Sequence, residues 1–184
     1  MGKYVALLRG VGGKRRVPSA ELRKVGQDLG FTDVATYITT GNLLFRSERT
    51  PAALRRLLHP VLSDAFGFDI PVIVVSDRTV SRALTGNPFD DGDPSLVSVT
   101  FLERPLADDV RDELRAALVD GERLELGPPN ARWLYSDFSH GHQNSKLARK
   151  LLAPLRGAVA TTRNIRTTTA LRDRLAALGT DTTQ

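Results

Sequence analysis

The chain has 184 residues, of which 41% are hydrophobic, 26% charged and 6% aromatic, the balance of a folded globular protein and not of a disordered or membrane-embedded one. Cysteine is absent, which excludes disulfides, thiolate metal sites and cysteine nucleophiles. The net charge is +5, and the longest apolar runs, Val5–Leu8 and Ile70–Val75, are far too short to span a bilayer. With Met1-Gly2-Lys3 leading straight into a strand-like segment, no secretory leader is expected and the expected location is the cytoplasm. Taken in chain order, Lys3–Arg9 reads as a strand and Gly10–Val17 as a glycine-rich basic loop. Ser19 is placed to cap a helix that carries Leu22, Val25, Gly26 and Leu29 at helical spacing and stops at Gly30. Val34–Thr39 and Leu43–Ser47 read as strands joined through Thr40-Gly41-Asn42. Thr50-Pro51 opens a second helix with the stripe Leu54, Leu57, Leu58, Val61, Leu62 and Ala65, and Pro60 is expected to kink it. Ile70–Ser76 is the near-continuous apolar run of a strand covered on both faces. The order β-α-β-β-α-β is ferredoxin-like.

A short helix over Asp77–Thr85 and a turn-rich stretch, Asn87–Pro94, precede a second round of the same order. Leu96–Leu102 is a strand and Leu106–Leu118 a helix. Arg123–Leu126 and Arg132–Ser136 are strands joined by Gly127-Pro128-Pro129-Asn130. Asn144–Leu152 is a helix, Ala158–Thr161 a strand, and Thr168–Leu178 a closing amphipathic helix. The fold class expected is α+β, a tandem ferredoxin-like arrangement (βαββαβ twice) plus a C-terminal helix. Residues 1–76 form the first unit, 77–94 a connector, 95–162 the second unit and 163–184 the final helix and tail, packed as one compact body.

The charge is segregated. Residues 1–60 carry 11 Lys/Arg against 4 Asp/Glu, residues 61–137 carry 7 against 15, and residues 138–184 carry 8 against 2. Basic ends can focus a field on an anionic ligand, although an acidic middle can also simply neutralise them. Arg9–Pro18, RGVGGKRRVP, lies between a strand and a helix start, where free backbone N–H groups can cradle a phosphate or carboxylate. It is neither a Walker A loop nor a dinucleotide fingerprint, because Leu8 and Arg15 occupy positions that those motifs reserve for other residues. A solvated basic turn explains it equally well. Thr161–Thr169, TTRNIRTTT, brings hydroxyls, an amide and two guanidiniums to a helix start, with Thr167 or Thr168 as its expected cap. Cations there conflict with the helix dipole, and a bound anion would relieve that conflict. Lys146, Arg149 and Lys150 share one helix face, the usual pattern of a solvated surface.

His140-Gly141-His142 near Asp137 lacks the ligand set of a metal site, and no metal or cofactor is expected. His140, His142 and Tyr37 are the candidates for acid–base work, none with an identifiable partner. Arg132-Trp133-Leu134-Tyr135 comes nearest to a base-stacking strand, but Trp133 and Tyr135 share a face that also suits a core.

In these segments the chain resembles a bacterial family known as domain of unknown function 1697. The matching pieces are YVALLRG, VGGKRRVP, AELRKVGQDLGF, TYITTGNLLF, NSKLARKLL and ATTRNIRTTTAL, in that order and over nearly the whole length. The resemblance implies a tandem ferredoxin-like α+β fold and, since the family has no established activity, no reaction. It also implies recurrent polar positions at Arg9, Gly12, Gly13, Lys14, Tyr37, Gly41, Asn42, Lys146, Thr162, Arg163, Asn164 and Thr167. Three departures stand out. RGVGG replaces the usual RGINVGG, Thr40 replaces a serine, and Ile165 replaces a tryptophan. The expectation carried forward is a cytoplasmic protein that binds a phosphate- or carboxylate-bearing small molecule through these basic Gly/Asn/Thr-rich loops. Replacement of Arg9 or Arg163 by Ala is expected to abolish binding with little loss of stability. Sequence-independent nucleic-acid binding and enzymatic action on a phosphorylated small molecule are the alternatives, and the oligomeric state is left open.

Overall fold

The computed structural model describes residues 1–39, 41–153 and 155–180; Thr40 of the expected turn therefore lies outside the described residues. The chain divides into two units, one of residues 1–80 with the chain from Ala170 onward, the other Ser81–Thr169. The first contains β1 (Gly2–Leu8), α1 (Ser19–Asp28), β2 (Thr32–Thr36), β3 (Asn42–Ser47), α2 (Pro51–Phe66) and β4 (Val72–Ser76). Helix α3 (Asp77–Thr85) begins in this unit and ends in the next. The second contains β5 (Val97–Leu102), α4 (Asp108–Arg115), β6 (Arg123–Leu126), β7 (Trp133–Asp137), α5 (Lys146–Leu152) and β8 (Ala160–Asn164). Helix α6 (Ile165–Ala177) follows; its first turns belong to the second unit and the rest to the first.

The sheets are antiparallel, with orders β2-β3-β1-β4 and β6-β7-β5-β8. Each is the same permutation. A strand–helix–strand crossover leaves one strand position open, and the third strand of the unit fills it. This is the ferredoxin-like order, so the fold class read from the sequence holds for both units.

Alternation along the strands explains the apolar runs. In the first unit Ala6, Leu8, Leu43, Phe45, Val72 and Val74 face a core with Leu22 of α1 and Leu54, Leu58 and Leu62 of α2. Each fully buried leucine contributes about 1.5–3 kcal/mol. The opposite face carries Val5, Leu7, Leu44, Ile73 and Val75, which are buried as well, so Val5–Leu8 of β1 reads as an unbroken hydrophobic run. In the second unit Leu102, Leu134 and Ala160 pack with Val110, Leu114, Leu147 and Leu151. Val99, Phe101, Trp133 and Tyr135 on the other face are also buried, and the Trp133 indole N–H donates to the Tyr135 hydroxyl at 2.8 Å. The pair nearest to a stacking platform is therefore core.

Several local expectations need correction. Ser19 is not the cap of α1: Pro18 holds that position and provides no side-chain bond. Thr50 does cap α2, accepting from the Ala53 N–H, and α2 continues through Pro60 as one element. Strand β2 ends at Thr36, short of Thr39, because Asp33 and Ile38 both adopt positive φ and the register shifts between Thr32 and Ala35. Helix α4 is shorter at both ends than Leu106–Leu118. The segment expected to begin the last strand is a tight turn in which Leu155 and Ala158 bond each other across Arg156 and Gly157, and β8 runs on to Asn164. Helix α6 starts at Ile165, not Thr168, and neither Thr167 nor Thr168 caps it. Among the described residues no helix is long and apolar enough to cross a membrane.

Candidate functional site

The sequence-derived residues fall in both units, and each group has its own geometry. Arg9, Gly12, Gly13, Lys14, Tyr37, Gly41 and Asn42 belong to the first. They gather at one end of its sheet because β1 and β2 finish there while β3 and β4 begin. The Leu8 N–H donates to the Gly41 carbonyl and the Arg9 N–H to the Pro71 carbonyl, each at 2.9 Å, so the ladder extends through Arg9. Gly41 has φ +77°, and a Cβ there would lie 2.7 Å from the Leu8 Cβ. Only glycine fits both the conformation and the approach.

Gly12 and Arg15 exchange backbone hydrogen bonds of 2.9 and 3.0 Å around Gly13, whose φ of +58° also suits glycine. Lys14 is thereby held at the tip of a tight, exposed turn. The Arg15 guanidinium lies 5.7 Å from the Phe68 ring centroid. Among the described residues Lys14, Arg15 and Arg16 have no carboxylate within salt-bridge distance, and all three are exposed. The turn leads into α1, whose first N–H groups receive no side-chain cap.

Asn42 is fully buried; its amide donates to the Tyr37 carbonyl at 3.0 Å while the Tyr37 N–H donates to the Asn42 carbonyl. It closes the β2–β3 connection from inside. Beyond it Ile38, a β-branched residue with φ +49°, stands 43% exposed, a strained conformation of the kind that recurs at functional loops. The ring of Tyr37 is covered by Arg174 of α6, whose guanidinium carbon lies 4.4 Å from the centroid. No sequence signal distinguished Arg174, since it looks like any solvated helical arginine.

In the second unit Lys146 is exposed at the first position of α5, whose cap is Ser145, accepting from the Ala148 N–H. Thr162 shares a 2.8 Å hydrogen bond with the buried Thr100 hydroxyl directly across the ladder. Arg163 donates to the Thr161 hydroxyl and the Thr162 carbonyl, each at 2.9 Å. Its head group is enclosed by protein although the residue keeps some solvent contact, and burial lowers its pKa to about 10. Asn164 accepts from the Thr167 N–H at 2.8 Å and donates to the Ser95 carbonyl, so it is the side chain that caps α6. Thr168 donates back to the Asn164 carbonyl. Much of TTRNIRTTT is thus accounted for by strand pairing and a helix start, without a bound anion. The side of the sheet that carries Thr100 and Thr162 also carries Ser98 and Ser136, both fully buried, and the Ser136 hydroxyl has no hydrogen-bond partner among the described residues.

Several other cations of the second unit are paired. Arg123 grips Asp137 through Nε and Nη2 at 3.1 and 2.7 Å, reaches Asp91, and lies 4.6 Å from the Phe89 ring centroid. Arg156 binds both Asp109 and Glu113, Arg111 pairs with Asp108, and Arg115 with Asp112. A cavity of about 350 Å3 beside Trp133, Leu102, Leu106, Arg111 and the two prolines 128 and 129 is lined by none of the residues expected to bind an anion. The His140 ring bonds the Asp120 carbonyl, and His142 stands 4.3 Å from Phe138, where burial lowers its pKa. No group of three or more His, Asp or Glu able to hold a metal occurs among the described residues.

Comparison with known proteins agrees with this architecture. The chain is similar in structure to the conserved bacterial protein SP0830 from Streptococcus pneumoniae, with a TM-score of 0.75 and 26% sequence identity over 95% of this chain and 98% of that one. No curated protein matches. A family model described as protein of unknown function (DUF1697) matches residues 1–130, so the chain belongs to that family.

Proposed function

We propose that this protein binds a phosphate- or carboxylate-bearing small molecule at the loop end of the first unit. The observation that carries this reading is the exposed, acid-free run Lys14-Arg15-Arg16 held on a glycine turn just ahead of an uncapped helix start. Cations grouped without counter-charge repel one another. Glu21 in the first turn of α1 already answers that helix's dipole and, among the described residues, is in no salt bridge with any of the three, so the anion's role is to relieve the repulsion among the cations themselves. Arg9 and the backbone N–H groups of Gly13 and Lys14 extend the same surface, and Asn42 and Gly41 set the shape of the neighbouring connection. In the second unit Lys146 is exposed at the start of α5, the Thr167 N–H donates to Asn164, and Thr162, Arg163 and Asn164 hold that unit's own strand and helix.

The test is a thermal-shift screen of the purified protein against inorganic phosphate, sugar phosphates, small carboxylates and short oligonucleotides at two salt concentrations. Stabilisation by a small anion that survives the higher salt is expected. Nucleic-acid binding predicts the opposite pattern: stabilisation by every oligonucleotide, with log K falling by roughly 0.7–0.9 per phosphate contacted for each decade of salt. Stabilisation by no anion at either salt concentration contradicts the proposal.

A further inference from the structure

We infer that Arg174 is an anion-binding residue at the loop end of the first unit and that Tyr37 is the side chain that aims it, an assignment that rests on the reading above. Arg174 lies in the last turn of α6, in the part of that helix that belongs to the first unit, and is exposed. Among the described residues it has no carboxylate partner, whereas Arg172 is paired with Asp173. What fixes its head group instead is the face of Tyr37, 4.4 Å away. A guanidinium lying over an aromatic ring spends its flat face on the ring and keeps the N–H donors along its edge free to point at an oxyanion. An ammonium gains much less from such a platform.

The register brings Arg174 into relation with Arg9. Tyr37 is bonded to Asn42, Asn42 is paired with Leu7, and Arg9 follows Leu7 by two residues along a ladder that continues through it. Alternation therefore puts Tyr37 and Arg9 on one face of the sheet, two strands apart and offset by two residues, with their backbones roughly 12 Å apart. A small molecule with two anionic groups, such as a bisphosphate, has the reach to meet Arg174 beside Tyr37 and the Arg9 position together. Inorganic phosphate, with one anionic group, spans less of that distance.

The experiment is calorimetric titration of the full-length protein with a hexose bisphosphate and with inorganic phosphate. Wild-type protein is expected to prefer the bisphosphate. Arg174→Ala should lower bisphosphate affinity about tenfold, the worth of one charge-assisted contact, and leave phosphate affinity within about twofold. Arg174→Lys should fall between the two, since charge is kept and the planar fork is lost. Tyr37→Leu should cost about threefold with Arg174 still present, through loss of the platform. Equal bisphosphate affinity in wild type and Arg174→Ala overturns this assignment and leaves the anion site standing. Wild-type protein that binds neither probe overturns both.

Discussion

The two units share one strand permutation, and the cations that stand out in each are held in different ways, although Lys24 and Arg46 of the first unit also pair with acids. In the second, Arg111, Arg115, Arg123 and Arg156 each hold a carboxylate, and Arg163 is wrapped by its own strand. In the first, the three consecutive cations of the turn ahead of α1 hold no carboxylate among the described residues, and Arg174 rests on an aromatic ring. The same topology can thus carry arginines as fastenings or as an open cationic surface. Which of the two a given arginine serves is decided by the acids around it and not by its place in the fold.

That contrast can be broken most forcefully in the second unit. Asp137 is almost fully buried and receives two bonds from Arg123. Asp137→Ala should cost about 2–3 kcal/mol, the upper range for hydrogen bonds to charged groups. Trp133 is the chain's single tryptophan and lies in this unit, so its fluorescence during urea unfolding reads the loss directly. Arg163→Ala is next. It strands the buried Thr161 hydroxyl and should cost about 1–2 kcal/mol, contrary to the small loss expected from sequence; unaltered unfolding would return Arg163 to the open class. Ser136→Ala is the smallest effect and has the opposite sign. The hydroxyl is buried and has no partner among the described residues, so its removal should leave stability unchanged or raise it by up to about 1 kcal/mol, measured by melting temperature. A clear loss would mean that the hydroxyl has a partner, such as a buried water.

The strand order was legible because apolar runs such as Val5–Leu8 and Ile70–Val75 admit few other readings. Helix ends were less so. Ser19 and Thr168 have the right chemistry for caps, yet the chain uses Pro18 and Asn164, because which residue leaves helical φ and ψ depends on where the preceding strand stops. The site was legible only in part. RGVGGKRRVP announced an exposed glycine turn correctly, but nothing in TTRNIRTTT revealed that Arg163 is spent on its neighbours. The role of Asn42 was equally hidden: an amide that closes a hairpin and an amide that meets a ligand look alike until burial is known. The stacking of Arg174 on Tyr37 joins distant parts of the chain and leaves no local pattern to find.

The most direct test of the account is calorimetric titration of inorganic pyrophosphate into three proteins: wild type, Lys14→Ala/Arg16→Ala, and Arg111→Ala/Arg115→Ala. All four arginine and lysine positions are at least partly exposed, so every variant should fold. The account predicts at least a tenfold loss of affinity in the first-unit variant, corresponding to one or more charge-assisted contacts, and none in the second-unit variant. Equal affinities in all three proteins, or a loss confined to the Arg111/Arg115 pair, would contradict it.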